Sequence, residues 1–494
     1  MYIHISEYHG LTGHVKKTLW FFQSSKLIWY NGIKYPLMRT QAVLRICEKY
    51  GQNHLVRHFL NLGEWQRSKF LKNLEQIDFP LLDSLYSNYV MGKKSFFDCS
   101  NLGPPEVISL PKTAKDKKLQ EKAKMIGELL LREKKVSCLL VAGGQATRLG
   151  INTPKGFYPI TPVKRKTFFQ LFSEKILAIS KKYNTEIPFF IMTNPESKEE
   201  VKNFFESQDF FGLKKENVII FEQDVLPVLT RDGKIIMKNE TEILSSPNGH
   251  GNSIKKLYDL GILHTLLERG YEYLFYFQVD NPLVKIADPI FLGYHRMYDA
   301  DVSLKVVRKK SEDEKVGLYV SLSGRPAIIE YSDLDPETAN LRDKNGDLIY
   351  WAGNTAMHVF SLEFLKSLND QGFAFPYHVV EKKIYVEKER KEIDVLKFET
   401  FVFDCLLRSK KTCALEVIRE EEFSPVKNST GPSSPLTAQK DMSHLFKKWL
   451  KASGIHAPLE VQVEISPLFA IDMDECIEKL KGKNLTIERD IYIE

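Results

Sequence analysis

The stretch LLVAGGQATRLGINTPKGFYPI, residues 139–160, collects the residue types that hold a polyphosphate. An apolar run passes through Ala142 into two adjacent glycines, Gly143 and Gly144. Glycine lets backbone N–H groups approach an anion closely, and a helix N-terminus following such a loop favours negative charge. Arg148 and Lys155 add fixed cations. The pattern matches neither familiar phosphate loop. A Walker loop ends in Gly-Lys-Ser or Gly-Lys-Thr, and neither tripeptide occurs in the chain. The G-x-G-x-x-G fingerprint of dinucleotide enzymes is not supplied by Gly143-Gly144-Gln145-Ala146, which argues against an NAD-dependent dehydrogenase.

A second candidate is Asp280, which ends the apolar run YLFYFQV. A carboxylate at the carboxyl end of a strand suits Mg2+, and a triphosphate loop in the same sheet calls for a cation. Other groupings carry less chemistry. His54 and His58 stand at zinc-ligand spacing on a helix, but the zinc-protease pattern needs Glu after the first His, and Leu55 is there. A packed or surface pair is expected. Cys138 lies in an apolar strand and reads as a buried small residue. The charged run RKKSEDEKV, residues 308–316, reads as a solvated loop.

These residues need a scaffold with strand ends side by side. From Val136 onward, short apolar runs (VSCLLVA, IPFFIMT, NVIIFEQ, YLFYFQVDN, ADVSLKVVRK) read as strands. Between them lie helical patterns. KTFFQLFSEKILAISKKY puts Phe169, Phe172, Ile176 and Ile179 on one face. SKEEVKNFFES carries a Ser197–Glu200 capping box, and SIKKLYDLGILHTLLERG reads as one helix ended by Gly270. Alternation of this kind predicts a mainly parallel sheet covered by helices on both faces. Ligands then collect at the carboxyl ends of its strands. Residues from about Arg39 to Leu102 carry helical periodicity, NLGPPEVISLPK reads as a linker, and residues 423–439 as a Ser- and Pro-rich loop.

Composition excludes other classes. A net charge of +6 over 494 residues, with no clustered basic face, argues against a nucleic-acid partner. No run reaches the roughly 18 apolar residues of a membrane span. Six cysteines without a C-x-x-C pair fit a reducing cytoplasm rather than a disulfide scaffold, and the N-terminus lacks the pattern of a secretory signal.

AGGQATRLG followed by PKG resembles the signature of the eukaryotic-type UDP-sugar pyrophosphorylases. Further segments follow in family order: FEQDVLP, PNGHGN, VDNPLVKIADP, IIEYSDL, AGNTAMHVF, LKFETFVFD, REEEFSPVKNS and VEISPL. The likeness runs from about residue 40 to the end, with the N-acetylglucosamine branch nearest. It implies a Mg2+-dependent uridylyltransferase that joins UTP and a sugar 1-phosphate and releases pyrophosphate. It also implies a Rossmann-like α/β nucleotidyltransferase core with a mixed, mainly parallel sheet. Expected boundaries are 1–38 for an unmatched extension, 39–102 for a helical region, 103–395 for the catalytic domain and 396–494 for a small C-terminal domain.

Carried over position by position, the resemblance implies the following roles. Ala142, Gly143, Gly144, Gln223, Gly249 and His250 would hold the nucleotide, with Asp280 on nucleotide and metal. Arg148, Lys155 and Lys397 would stabilise the phosphates in the reaction. Glu330, Tyr331, Gly353, Asn354, Lys427 and again His250 would meet the sugar phosphate. Two positions depart from the family pattern. Ala146 replaces a loop glycine. Gly-His-Gly at His250 replaces the Gly-Asn-Gly of the N-acetylglucosamine branch and resembles the UDP-glucose branch, so glucose 1-phosphate stands beside N-acetylglucosamine 1-phosphate as a substrate. A non-catalytic nucleotide-sugar binder is the competing class, and the retained leaving-group cations argue against it. Residues 1–37 match nothing in the family, and Met38 is the expected natural start.

Overall fold

The computed structural model describes residues 28–30, 33–35, 37–92, 101–144, 149–150, 153–331, 333–386, 391–483 and 485–494. The chain divides into two compact units, Met1–Asp83 with Met237–Ile243, and Ser84–Ile236 with Leu244–Glu494. The reading of residues 1–37 as an extension falls mostly outside the described residues. Within them, Ile28–Tyr30 pairs antiparallel with Ile33–Tyr35.

The first unit is helical: α1 (Leu37–Lys49), α2 (Asn53–Asn61), α3 (Glu64–Glu75) and the start of α4 (Phe79–Val90). Leu55, Phe59, Phe70 and Leu74 are buried there. His58 Nε2–H donates to the Glu240 carbonyl at 2.7 Å, and its ring meets Phe70 edge-on at 5.3 Å. It is a packed histidine, as expected from the missing Glu.

The second unit carries the sheet. Helix α5 (Ala114–Arg132) precedes it, capped by Thr113, whose hydroxyl accepts the Asp116 N–H at 3.2 Å. Strands β1 (Val136–Val141), β2 (Phe189–Thr193), β3 (Val218–Glu222) and β4 (Tyr273–Gln278) run parallel in the order β4-β1-β2-β3. Side chains alternate across the sheet. Cys138 and Leu140 face a core shared with α5 and α6 (Phe168–Tyr183), while Leu139 faces a second core.

Three details depart from expectation. Ser197 does not cap α7 (Lys198–Ser207) with its side chain. A 3-10 turn over Pro195–Ser197 puts Ser197 in a helical backbone conformation, and its hydroxyl donates to the Asn194 carbonyl at 3.3 Å. The predicted single helix over residues 253–270 is two, α8 (Asn252–Asp259) and α9 (Ile262–Glu268), broken where Gly261 takes φ +72°. Both pack on the second core. The loop predicted to reach Gln439 ends at Ser434, which caps the helix Pro435–Ala452; proline at a first helical position lacks only an N–H that would be unpaired anyway.

Helix α10 (Pro289–Met297) crosses α5 at close range. A Cβ on Gly127 would overlap the Pro289 backbone, and one on Gly293 the Ala123 backbone, so both positions require glycine. Beyond α10 the sheet becomes antiparallel through β5 (Val302–Arg308), β6 (Leu318–Leu322), β7 (Arg325–Ile329) and β8 (Ala352–Ser361). Strand β8 bridges the halves, pairing with both β4 and β5. A separate hairpin, β9 (Tyr377–Val386) and β10 (Lys391–Thr400), pairs with Leu229–Thr230. Strand β11 (Thr412–Glu416) returns parallel to β5. Among the described residues no helix is long and apolar enough to cross a membrane.

Candidate active site

Parallel pairing of β1 with β4 ends at Val141 opposite Gln278, so Ala142–Gly144 and Asp280 leave the sheet side by side. The Ala142 N–H donates to the Met192 carbonyl at 2.8 Å, fixing the start of the loop on β2. Residues 145–148 lie outside the described residues, and with them Arg148 and Ala146. The loop is closed at Lys155, whose N–H donates to the Gly144 carbonyl at 3.3 Å. A 3-10 turn, Lys155–Phe157, follows; a Cβ on Gly156 would enter the Phe169 ring. Among the described residues no α-helix opens at the glycines, and the next one is α6.

Lys155 Nζ donates to the Val426 carbonyl at 2.9 Å. Around it opens a cavity of about 990 Å³, lined among others by Lys155, Asp280, Tyr331, Arg419 and Lys427. The structure thus gathers four of the residues singled out from sequence. It adds two features that sequence reasoning missed. The run 308–316, expected as a solvated loop, lines the cavity with Lys310, Glu314 and Lys315. Arg419 anchors that loop, donating to the Arg308 carbonyl at 3.1 Å and pairing with Glu314 at 2.9 Å. The only sequence signal was its charge density, which surface loops share.

Asp280 is half-buried on this cavity. Among the described residues no three His, Cys, Asp or Glu side chains gather into a protein-only metal site. Asp280 shares the cavity lining with Asp313, Glu314 and Asp441 and with four lysines; a carboxylate at a phosphate-binding cavity fits Mg2+, which is bound by one or two carboxylates together with substrate phosphates and water.

The remaining described candidates are not part of this cavity's lining. Gln223 follows β3, its N–H on the Thr193 carbonyl at 2.9 Å and its amide bonded to Asn194. A Cβ on Gly143 would overlap the Gln223 amide, so glycine is required for this approach. Gly249 takes φ +87°, and a Cβ there would overlap the Thr400 backbone. The Thr400 N–H donates to Asn248 at 2.8 Å and the Thr400 carbonyl accepts from Gly251 at 2.9 Å. These bonds join the PNGHGN loop to the end of β10, which carries Lys397. Lys397 does not line the cavity. Its ammonium is held below the ordinary lysine range, by burial first and Lys382 second.

His250 packs into an aromatic group: stacked on Phe401 at 5.3 Å and edge-on to Phe403 at 5.7 Å. Its Nδ1 accepts the Val402 N–H at 3.1 Å, which fixes a neutral ring with the proton on Nε2. Burial, with His378 nearby, pulls its pKa down to about 3. His378 donates from Nε2 to buried Asp404 at 2.9 Å and lies on Phe401 at 4.5 Å. Glu330, just past β7, is pushed up by burial, opposed by Lys427. Asn354 is held by Gly317 at 2.8 Å, and its Oδ1 accepts from Ala356 at 3.0 Å; Gly353 precedes it against Val316.

The UDPGP family, described as UTP–glucose-1-phosphate uridylyltransferase, matches residues 83–471. A probable UDP-N-acetylglucosamine pyrophosphorylase of Dictyostelium discoideum is 34% identical, over 89% of this chain and 96% of its own. The UDP-N-acetylglucosamine pyrophosphorylase of Saccharomyces cerevisiae is 32% identical, over 88% and 95%. Among solved structures, the Trypanosoma brucei uridine diphosphate N-acetylglucosamine pyrophosphorylase superposes with TM-score 0.78 at 24% identity, over 92% of this chain and 98% of its own. With the paired strand ends and the cationic cavity, these likenesses lead to one conclusion: the chain belongs to the UDPGP family and is a nucleotidyltransferase of the UDP-sugar pyrophosphorylase type.

Proposed function

We propose that the protein makes a UDP-sugar and pyrophosphate from UTP and N-acetylglucosamine 1-phosphate, with Mg2+, in the cytoplasm. The observation that carries this reading is the convergence of Lys155, Asp280 and Lys427 on one cavity beside the Gly143–Gly144 strand end. A phosphate oxygen of the sugar 1-phosphate attacks the α-phosphorus of UTP. The new P–O bond forms as the bond from the α-phosphorus to the bridging oxygen breaks, and pyrophosphate leaves. The attacking oxygen is already anionic, so no strong general base is needed. Catalysis is positioning plus charge neutralisation.

Lys155, with Arg148, stabilises the departing pyrophosphate, and Lys427 receives the incoming sugar phosphate. Lys397 supports the nucleotide phosphates. Gly143, Gly144, Gln223 and Gly249 hold the uridine end on the wall next to β10, with Ala142 behind them. Glu330, Tyr331, Gly353 and Asn354 line the sugar side. Asp280 would hold Mg2+, which when bound neutralises phosphate charge. The names and coverage of the relatives support N-acetylglucosamine. Gly-His-Gly at His250 favours glucose 1-phosphate as the second reading, yet Nδ1 of that ring is committed to Val402. Pyrophosphate release from UTP, Mg2+ and a panel of sugar 1-phosphates tests all of this. The fastest release is expected with N-acetylglucosamine 1-phosphate. Release with none of the sugars would leave a nucleotide-sugar binder.

A further inference from the structure

We propose that Asn281 is a positioning residue for this transfer, setting the register between the Asp280 strand end and the loop that carries Lys427. The inference rests on the transferase reading above and adds a role to a residue that touches no substrate. Asn281 is only 3% exposed. Its Nδ2 donates to the Glu422 carbonyl at 2.6 Å. Its Oδ1 accepts the Ser424 N–H at 3.1 Å and the Leu283 N–H at 3.3 Å. Both ends of the amide are thus engaged within the protein, and Asn281 is not part of the cavity lining. Beside it, the Asp280 carbonyl accepts the Val426 N–H at 2.8 Å. Residues 422, 424 and 426 are thus laced in turn onto 280–281.

The laced segment is gripped from both sides. Beneath it, the Glu422 carboxylate meets Lys305 at 2.5 Å, and Lys305 is wholly enclosed with Asp288 as its other partner at 2.6 Å. Lys285 reaches the second Glu422 oxygen at 3.3 Å. Above it, Lys155 rests on the Val426 carbonyl at 2.9 Å. The buried charges hold the Glu422 end of the segment, and the Asp280–Val426 bond holds its far end. The Asn281 amide, with a donor and an acceptor aimed at residues two apart, ties the stretch between them to the strand end. Lys427, one residue past Val426, and Asp280 are then held at a constant separation. A displacement of about 1 Å at a reacting group costs on the order of 10²-fold in rate.

The test uses the full chain. Asn281→Ala is expected to lower kcat by about 10- to 100-fold while KM for UTP stays within about threefold, because the uridine end is built from other segments. In a Lys427→Ala background the same substitution is expected to cost less than about threefold, since its effect passes through that lysine. Asn281→Ser is the milder substitution, uncharged and still polar. It is expected to give a smaller fall in kcat with unchanged KM, and it carries the test if the alanine variant folds poorly. Wild-type kcat in either folded variant overturns the proposal. So do losses that simply multiply with Lys427→Ala, or a loss that only tracks the folded fraction. Absence of pyrophosphate release by the wild type with every sugar 1-phosphate overturns the transferase reading, and this proposal with it.

Discussion

Replacing His250 with Asn installs the residue expected of the N-acetylglucosamine branch, and the structure predicts a pH-dependent outcome. The ring is stacked on Phe401 and accepts a backbone N–H at Nδ1, so it is neutral when folded. Burial and then His378 depress its pKa from 6.5 to about 3. An unfolded chain takes up the proton near 6.5 and the folded one does not until near 3, so stability is full above 6.5 and falls as the pH drops. Between pH 6.5 and 5 the loss is about 2 kcal/mol, at ~1.4 kcal/mol per unit. Asn can still accept from Val402 but forfeits the aromatic packing, at about 1 kcal/mol. His250→Asn should therefore be less stable than wild type at pH 7.5 and match or exceed it at pH 5. Urea midpoints at the two pH values measure this. An equal gap at both would refute a neutral, ring-packed His250.

Lys155→Ala should cut turnover by about 10²–10³-fold, ~3–4 kcal/mol of transition-state stabilisation, with a wild-type circular dichroism spectrum; near-normal turnover in the folded variant removes the leaving-group role. Asp280→Asn should raise the Mg2+ concentration for half-maximal rate by about tenfold or more, read from a metal titration at saturating UTP. Gly249→Ala should lower stability by more than about 2 kcal/mol, since the added Cβ meets the Thr400 backbone at a left-handed φ; thermal melting measures it.

Much of the site was legible because its parts are short and local. An apolar strand ending in Gly143-Gly144, and another ending in Asp280, identify themselves by period and punctuation. Parallel pairing then brings them together without further information. What escaped depends on distant partners. The break at Gly261 hides within a helical pattern, because glycine ends a helix only when tertiary packing uses its left-handed φ. Ser197 had the right neighbour for a capping box, but a preceding proline turn took its backbone elsewhere. The charged run 308–316 became a cavity wall through Arg419, a residue more than a hundred positions on. The bonds of Asn281 to Glu422 and Ser424 leave no sequence signature at all.

The enclosed ammonium of Lys305 bears on how the protein is made. Its first partner, Asp288, lies 17 residues upstream, but Glu422 is 117 residues downstream. At ribosomal speeds of about 5–20 residues per second, that gap lasts roughly 6–23 s. Throughout it the nascent β5 holds a lysine with half its compensating charge. The parallel half of the sheet can form early, whereas the antiparallel half must wait for the last third of the chain. The cavity is therefore the final part of the molecule to be completed, and a ribosome stalled short of Glu422 leaves the Asp280 strand end with no opposite bank.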